Sequence, residues 1–293
     1  MRKMEKYIPN LILSVILIFS LLGAEGVAFA KYRVFNEQVC IDAVENNDVT
    51  GKVLDSIEKY FENSSNYSRI PSDVYMSAVD ENLVKKAVEA KITGIFSYIK
   101  GETDEISESE IDFTELEKSI DDYFNEFAEK NNVDINDDFK SQLSKTIETA
   151  ESEIDDFTDV FMLSYIKKTG ALSKARKIYG MLDMAMIVTA VAAIVCVILI
   201  FVMNLKKKSY FLYWLSASVI CSSAIAFIPG LYIRFSGYVK GLVIRNDYIY
   251  SAVTGFINKL NDELIILESA ALVLGIIIMV LFAFASRERY AEN

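Results

Sequence analysis

The chain has 293 residues, 52% of them hydrophobic and 24% charged, with a net charge of −11, three Cys and no His. The missing His removes the commonest general base and metal ligand, and with it Ser-His-Asp catalysis, Cys-His catalysis and every His-ligated zinc site. The acidic balance also argues against nucleic acid, which needs a basic face.

The first element is an apolar stretch from about Ile8 to Ala30, long enough to cross a bilayer as a helix. Arg2, Lys3 and Lys6 precede it as a basic flank, and Ala28-Phe29-Ala30 fits the A-x-A cleavage pattern. The apolar character resumes through Val27 and Phe29, so residues 1–30 read as a retained signal anchor, with cleavage after Ala30 as the alternative.

Residues 31–180 hold 32 Asp and Glu against 18 Lys and Arg, and 102–159 alone hold 21 against 4. Apolar spacing in this region is helical. A helix is expected around Val53, Ile57, Tyr60 and Phe61, followed by a loop over Asn63–Ser68 that ends at Pro71. That loop carries two short glycosylation-type triplets at Asn63 and Asn66, which arise readily by chance.

Leu83, Val84, Val88, Ile92, Ile95, Phe96 and Ile99 predict a helix stopped by Gly101. Thr114 and Glu117 have capping-box spacing ahead of Leu116, Ile120, Tyr123, Phe124 and Phe127. Asp134, Asn136 and Asp138 resemble the start of a calcium loop. The sixth and twelfth positions are Phe139 and Lys145 instead of Gly and Glu, so the run reads as a helix cap and no metal site is assigned. Phe139, Leu143, Ile147, Ile154, Phe157 and Phe161 predict one longer helix reaching about Lys168. Together these make a helical bundle large enough for its own core.

Three further spans follow, at about Met181–Met203, Tyr210–Ile233 and Leu264–Ala285. Pro229-Gly230 is expected to kink the third span, and small residues such as Gly26, Ala185, Thr189, Ser218, Ser222 and Gly275 suit close helix packing. In the loop 236–263, Ile249, Val253, Phe256, Ile257 and Leu260 form one apolar stripe, suited to the membrane surface or to docking under the acidic domain. Cys40 is the only Cys outside the spans. A disulfide within the acidic domain is therefore excluded and only an intermolecular one is open, while Cys196 and Cys221 read as core residues.

The expected fold class is all-α: a four-helix transmembrane bundle with a helical extracytoplasmic domain inserted between the first and second spans. Its segments are 1–30, 31–180 and 181–293. Orientation follows from three basic clusters, at Arg2/Lys3/Lys6, Lys206–Lys208 and Arg287/Arg289. Four alternating spans place all three on one side, the cytoplasm of a cell membrane, with both chain ends there and residues 31–180 outside.

No phosphate-binding glycine motif is present, and the cytoplasmic segments are short, so no cofactor, catalytic residue or nucleotide site is assigned. The candidate functional residues are ionisable groups at membrane depth: Glu25, Asp183, Arg234 and Glu268, one per span and all toward the outer end. Glu25 lies about 7 Å and Glu268 about 6 Å inside the outer ends of their spans. They are expected either to pack as Arg–carboxylate contacts or to bind a cation or polar group. Mid-membrane polar residues look too few for a self-sufficient pore.

The functional expectation is a non-enzymatic membrane protein, a sensor, scaffold or accessory subunit. Its acidic outer domain binds a protein partner, and self-association is open. The alternative is a transporter or channel subunit using Glu25 and Glu268.

Overall fold

The structure is a computed structural model that describes residues 4–106 and 111–291. Every regular element among them is helical. Four helices are long and apolar enough to cross a membrane. Arg2 and Lys3 of the first basic cluster lie outside the described residues, as do the side chains of Lys6, Lys207, Lys208 and Arg289.

Helix α1 (Met4–Phe29) continues as one π-helical turn through Ala30–Val34. Then come α2 (Glu37–Asn46), α3 (Val49–Ser68), α4 (Ser72–Met76), α5 (Glu81–Lys100), α6 (Thr114–Asn131), α7 (Asp137–Thr158) and α8 (Leu163–Lys168). Three long helices complete the chain: α9 (Ala171–Met203), α10 (Lys208–Ser236) and α11 (Asp247–Ala291). The chain divides into two compact units. One comprises residues 1–36, 177–242 and 257–293, and the other residues 37–176 and 243–256.

The second, acidic unit is built on one apolar core. Val53, Ile57 and Phe61 of α3 meet Val84, Val88 and Ile92 of α5, Leu116 and Ile120 of α6, and Ala150 and Ile154 of α7. Each large aliphatic side chain buried here stabilises the unit by about 1.5–3 kcal/mol. Phe61 also stacks on Tyr75 of α4, with ring centroids 4.1 Å apart and planes 9° apart. Burial pushes the Tyr75 hydroxyl up to about 12. Ile249 and Ala252, on the first turns of α11, belong to the same core, and Val253 and Phe256 pack against it. The stripe expected as a separate loop helix is thus continuous with the last span, and its first half is core of the acidic unit.

Local chemistry explains where the helices of this unit begin and end. Gly101 ends α5 in the left-handed region at φ 78°, as its position after the apolar run implies. Asp80 caps the start of α5 by accepting from the Leu83 amide, and Asn136 caps α7 by accepting from the Phe139 amide at 2.9 Å. Three expectations are corrected. Asn63–Ser68 is helical, because Ser65, Asn66 and Ser68 return their polar groups to carbonyls three or four residues back. Thr114 makes no capping box: its hydroxyl and amide both donate to Asp112, a charged and stronger acceptor. The long helix stops at Thr158, because the Asp159 carboxylate takes the Leu163 and Ser164 amides and starts α8.

In the first unit α1 packs along α10. Leu17 is fully buried among Ala193, Cys196 and Ile200 of α9 and Trp214 of α10. The close approaches fall only partly on the expected small residues. Gly23, not Gly26, faces α9, where an added Cβ would sit 2.9 Å from Thr189 Cγ2. At Gly275 an added Cβ would lie 2.7 Å from Ile220 Cγ1 and 3.2 Å from its amide nitrogen, so α10 and α11 nearly touch there. Cys196 is buried as expected, whereas Cys221 faces the exterior.

Candidate functional site

The interior of the first unit is more polar than the composition of its helices suggests. Asn204 of α9 donates to Asn10 Oδ1 of α1 at 2.9 Å, and both are buried. Four residues further along α1, Ser14 meets Ser218 of α10, with hydroxyl oxygens 2.6 Å apart. Ser222 and Ser223 lie one turn beyond Ser218 and are fully buried, and the Ser223 hydroxyl has no hydrogen-bond partner. In a bilayer such groups have no water to turn to, so each is an energetic cost unless something meets it.

The four ionisable residues divide into two kinds. Asp183 pairs with Lys31, and Arg234 pairs with Asp262. Arg33 and Lys259 both approach Glu263, at 3.5 and 3.8 Å. These contacts make a charged rim of paired groups, the placement expected at a membrane–water boundary. Lys31, Arg33, Asp262 and Glu263 were not singled out from sequence, because charges flanking an apolar run look like ordinary helix ends. Asp183 and Arg234 therefore meet basic and acidic partners of their own and do not meet Glu25 or Glu268.

Glu25 and Glu268 behave differently. Glu268 is only 1% exposed, and its Oε2 has no hydrogen-bond partner. Glu25 is half-buried, and its Oε2 is likewise enclosed and unpartnered.

Helix register places the two acids at similar levels. Ser14 and Ser218 align α1 with α10 at an offset of 204 residues, which brings Glu25 level with Pro229. Gly230 approaches Ile265, and Gly275 approaches Ile220, so Glu268 lies on α11 between these two crossings with α10. Above the pair, Asn261 donates to the Gly230 carbonyl at 3.1 Å while its own Oδ1 is buried and unpartnered. An ionised carboxylate enclosed without a cation costs several kcal/mol.

No protein family, curated protein or solved structure matches the chain. Its chemistry is argued from these residues alone.

Among its described residues the acidic unit has no buried, unpartnered carboxylate and offers a surface instead. Acids of 102–159 outnumber bases 21 to 4, so few can pair. Lys91 engages Asp155 at 2.8 Å, and Lys130 engages Glu126 at 2.9 Å. Where α6 turns into α7, Phe127, Val133 and Ile135 are 48%, 41% and 52% exposed among these acids.

Proposed function

We propose that the chain is a polytopic protein of the cell membrane and a subunit of a transport or ion-sensing assembly, in which Glu25 and Glu268 bind a cation. The basic clusters at Arg2/Lys3/Lys6, Lys206–Lys208 and Arg287/Arg289 orient it with both ends in the cytoplasm and the acidic unit outside. The observation that carries the reading is Glu268, a carboxylate 1% exposed whose Oε2 has no hydrogen-bond partner among the described residues, with Glu25 at a similar level of another span. Packing alone would favour an Arg–carboxylate contact, and the basic groups near this end, Lys31, Arg33 and Arg234, engage other acids.

Thermal unfolding of the full-length protein in detergent tests it. A structural Glu268 loses stability when changed to Gln. A cation-binding Glu268 does not: Glu268→Gln unfolds at the same or a higher temperature, and the dependence of that temperature on pH or on Na⁺ and K⁺ disappears. Retention of that dependence in both Glu25→Gln and Glu268→Gln ends the reading.

A second role belongs to the acidic unit, which we infer binds a basic protein partner through the α6–α7 turn. Exposed Phe127, Val133 and Ile135 within a strongly negative surface support it, since an apolar anchor ringed by charge is how a partner of opposite sign is held. A photo-crosslinking residue at 127 or 135 in the cell-borne protein is expected to capture one defined basic protein. Loss of the adduct when neighbouring acids are made neutral supports the charge argument. Absence of an adduct at both positions removes this role.

A further inference from the structure

We propose that the acidic unit binds a small zwitterion, an α-amino acid with an apolar side chain, in a cavity between α3, α4 and α7. The site lies wholly within that unit and is independent of Glu25 and Glu268.

The cavity is open to the surface and measures about 210 Å³. At roughly 30 Å³ per water it has room for about seven waters, which suits one small molecule and not a lipid or a folded partner. Its floor is fixed. Phe61, Tyr75 and Ala150 line it and are all buried in the core of the unit, and the stack of Phe61 on Tyr75 holds both rings in place. An apolar group that covers such a floor displaces water without ordering the protein first.

The polar lining divides by what each group still has to offer. Thr146 and Thr149 donate their hydroxyl protons to the Gln142 and Lys145 carbonyls, at 2.9 and 2.7 Å. Toward a ligand both are therefore acceptors. Lys145 and Ser64 supply the donors. Lys145 is the one charged group in the lining, and it makes no ion pair among the described residues although 102–159 hold 21 acids against 4 bases. Lys145 and Thr149 are four residues apart on one face of α7, so a donor and an acceptor stand about 6 Å apart along the helix. The carboxylate and ammonium on a single ligand Cα can reach one each.

Charge selects among the candidates. A simple anion answers Lys145 but enters against the surrounding acids, and a simple cation meets Lys145 at contact range, where salt screens least. A zwitterion carries no net charge. Its carboxylate takes Lys145 and Ser64, its ammonium takes the threonine oxygens, and its side chain covers the aromatic floor.

The test is saturation-transfer NMR on the full-length protein in detergent, titrated with L-phenylalanine and L-leucine. Each is compared with the acid that lacks its ammonium and the amine that lacks its carboxylate. Saturable binding of at least one amino acid is expected, with its two comparison compounds bound about tenfold or more weakly, because each leaves one charged contact unmade. Lys145→Gln is expected to weaken the amino acid by a similar factor, and Thr149→Leu, which fills the cavity, to abolish binding. Both positions are exposed, so both variants should unfold at the parent's temperature, which separates lost binding from lost structure. No saturable binding of either amino acid overturns the proposal. Equal binding of the acid or the amine overturns the zwitterion, and unchanged affinity in both variants overturns the site.

Discussion

Cys40 sits on α2 with its side chain 5% exposed in the core of the acidic unit. Burial pushes its thiol from the ordinary 9.0 up to about 12, which leaves about a thousandfold less thiolate at neutral pH. The intermolecular disulfide left open by its position in the sequence therefore has neither access nor nucleophile. Cys221 faces outward from the middle of an apolar span. A maleimide applied to the protein in detergent should spare Cys40, which reacts only on unfolding. Peptide mass spectrometry before and after denaturant reads this, and ready modification of Cys40 in the folded protein would contradict the burial. At this scale sequence reasoning located the ionisable residues but not their partners. Glu268 and Asp183 look alike as acids within apolar runs. One is paired and the other enclosed because of Lys31, whose reach across to α9 depends on how α1 packs.

Among the elements, the strongest sequence signals were those in which side chain and backbone act together within a few residues. The apolar rows of α3, α5, α6 and α7 became the shared core, and Gly101 became a left-handed stop. The errors came where two local interactions compete. Asp112 outbids the expected partner of Thr114, and Asp159 ends α7 although Phe161 continues the apolar pattern. The start of α7 shows what one such contact is worth. Asn136 meets the Phe139 amide at 2.9 Å, and its backbone is extended, as an N-cap requires. Asn136→Ala should destabilise the acidic unit by about 1 kcal/mol, and Asn136→Asp should restore most of that through the charge at the helix start. Denaturant unfolding of the full-length protein, followed by a probe in this unit, measures both. An Ala variant as stable as the parent would mean that the cap contributes nothing beyond what water supplies.

For the whole molecule, the hydrophobic runs made the number of long apolar helices plain, since nothing else in a chain of this size stays apolar for so long. The division into units was less visible, because α11 is a single 45-residue helix whose first ten residues belong to the acidic unit and whose remainder belongs to the other. A stripe of apolar residues running into an apolar span carries no punctuation at the boundary, so sequence periodicity has nothing to mark. The proposed topology makes a sharp demand of this arrangement. Tyr67 on α3, 89% exposed, must face the outside, and Lys206, exposed between α9 and α10, must face the cytoplasm. Both sites are free of core packing, so a Cys at either leaves the fold intact. With Cys221 changed to Ser and Cys40 and Cys196 buried, the introduced thiol is the only ready target for a membrane-impermeant maleimide. On intact cells Tyr67→Cys should label and Lys206→Cys should not, and permeabilisation should bring the second up to the level of the first. The opposite pattern would invert the orientation. Glu25, Glu268 and the paired rim of Lys31–Asp183 and Arg234–Asp262 would then lie toward the cytoplasmic face, and the basic cluster around Lys206 would lie outside, against the charge bias that governs insertion.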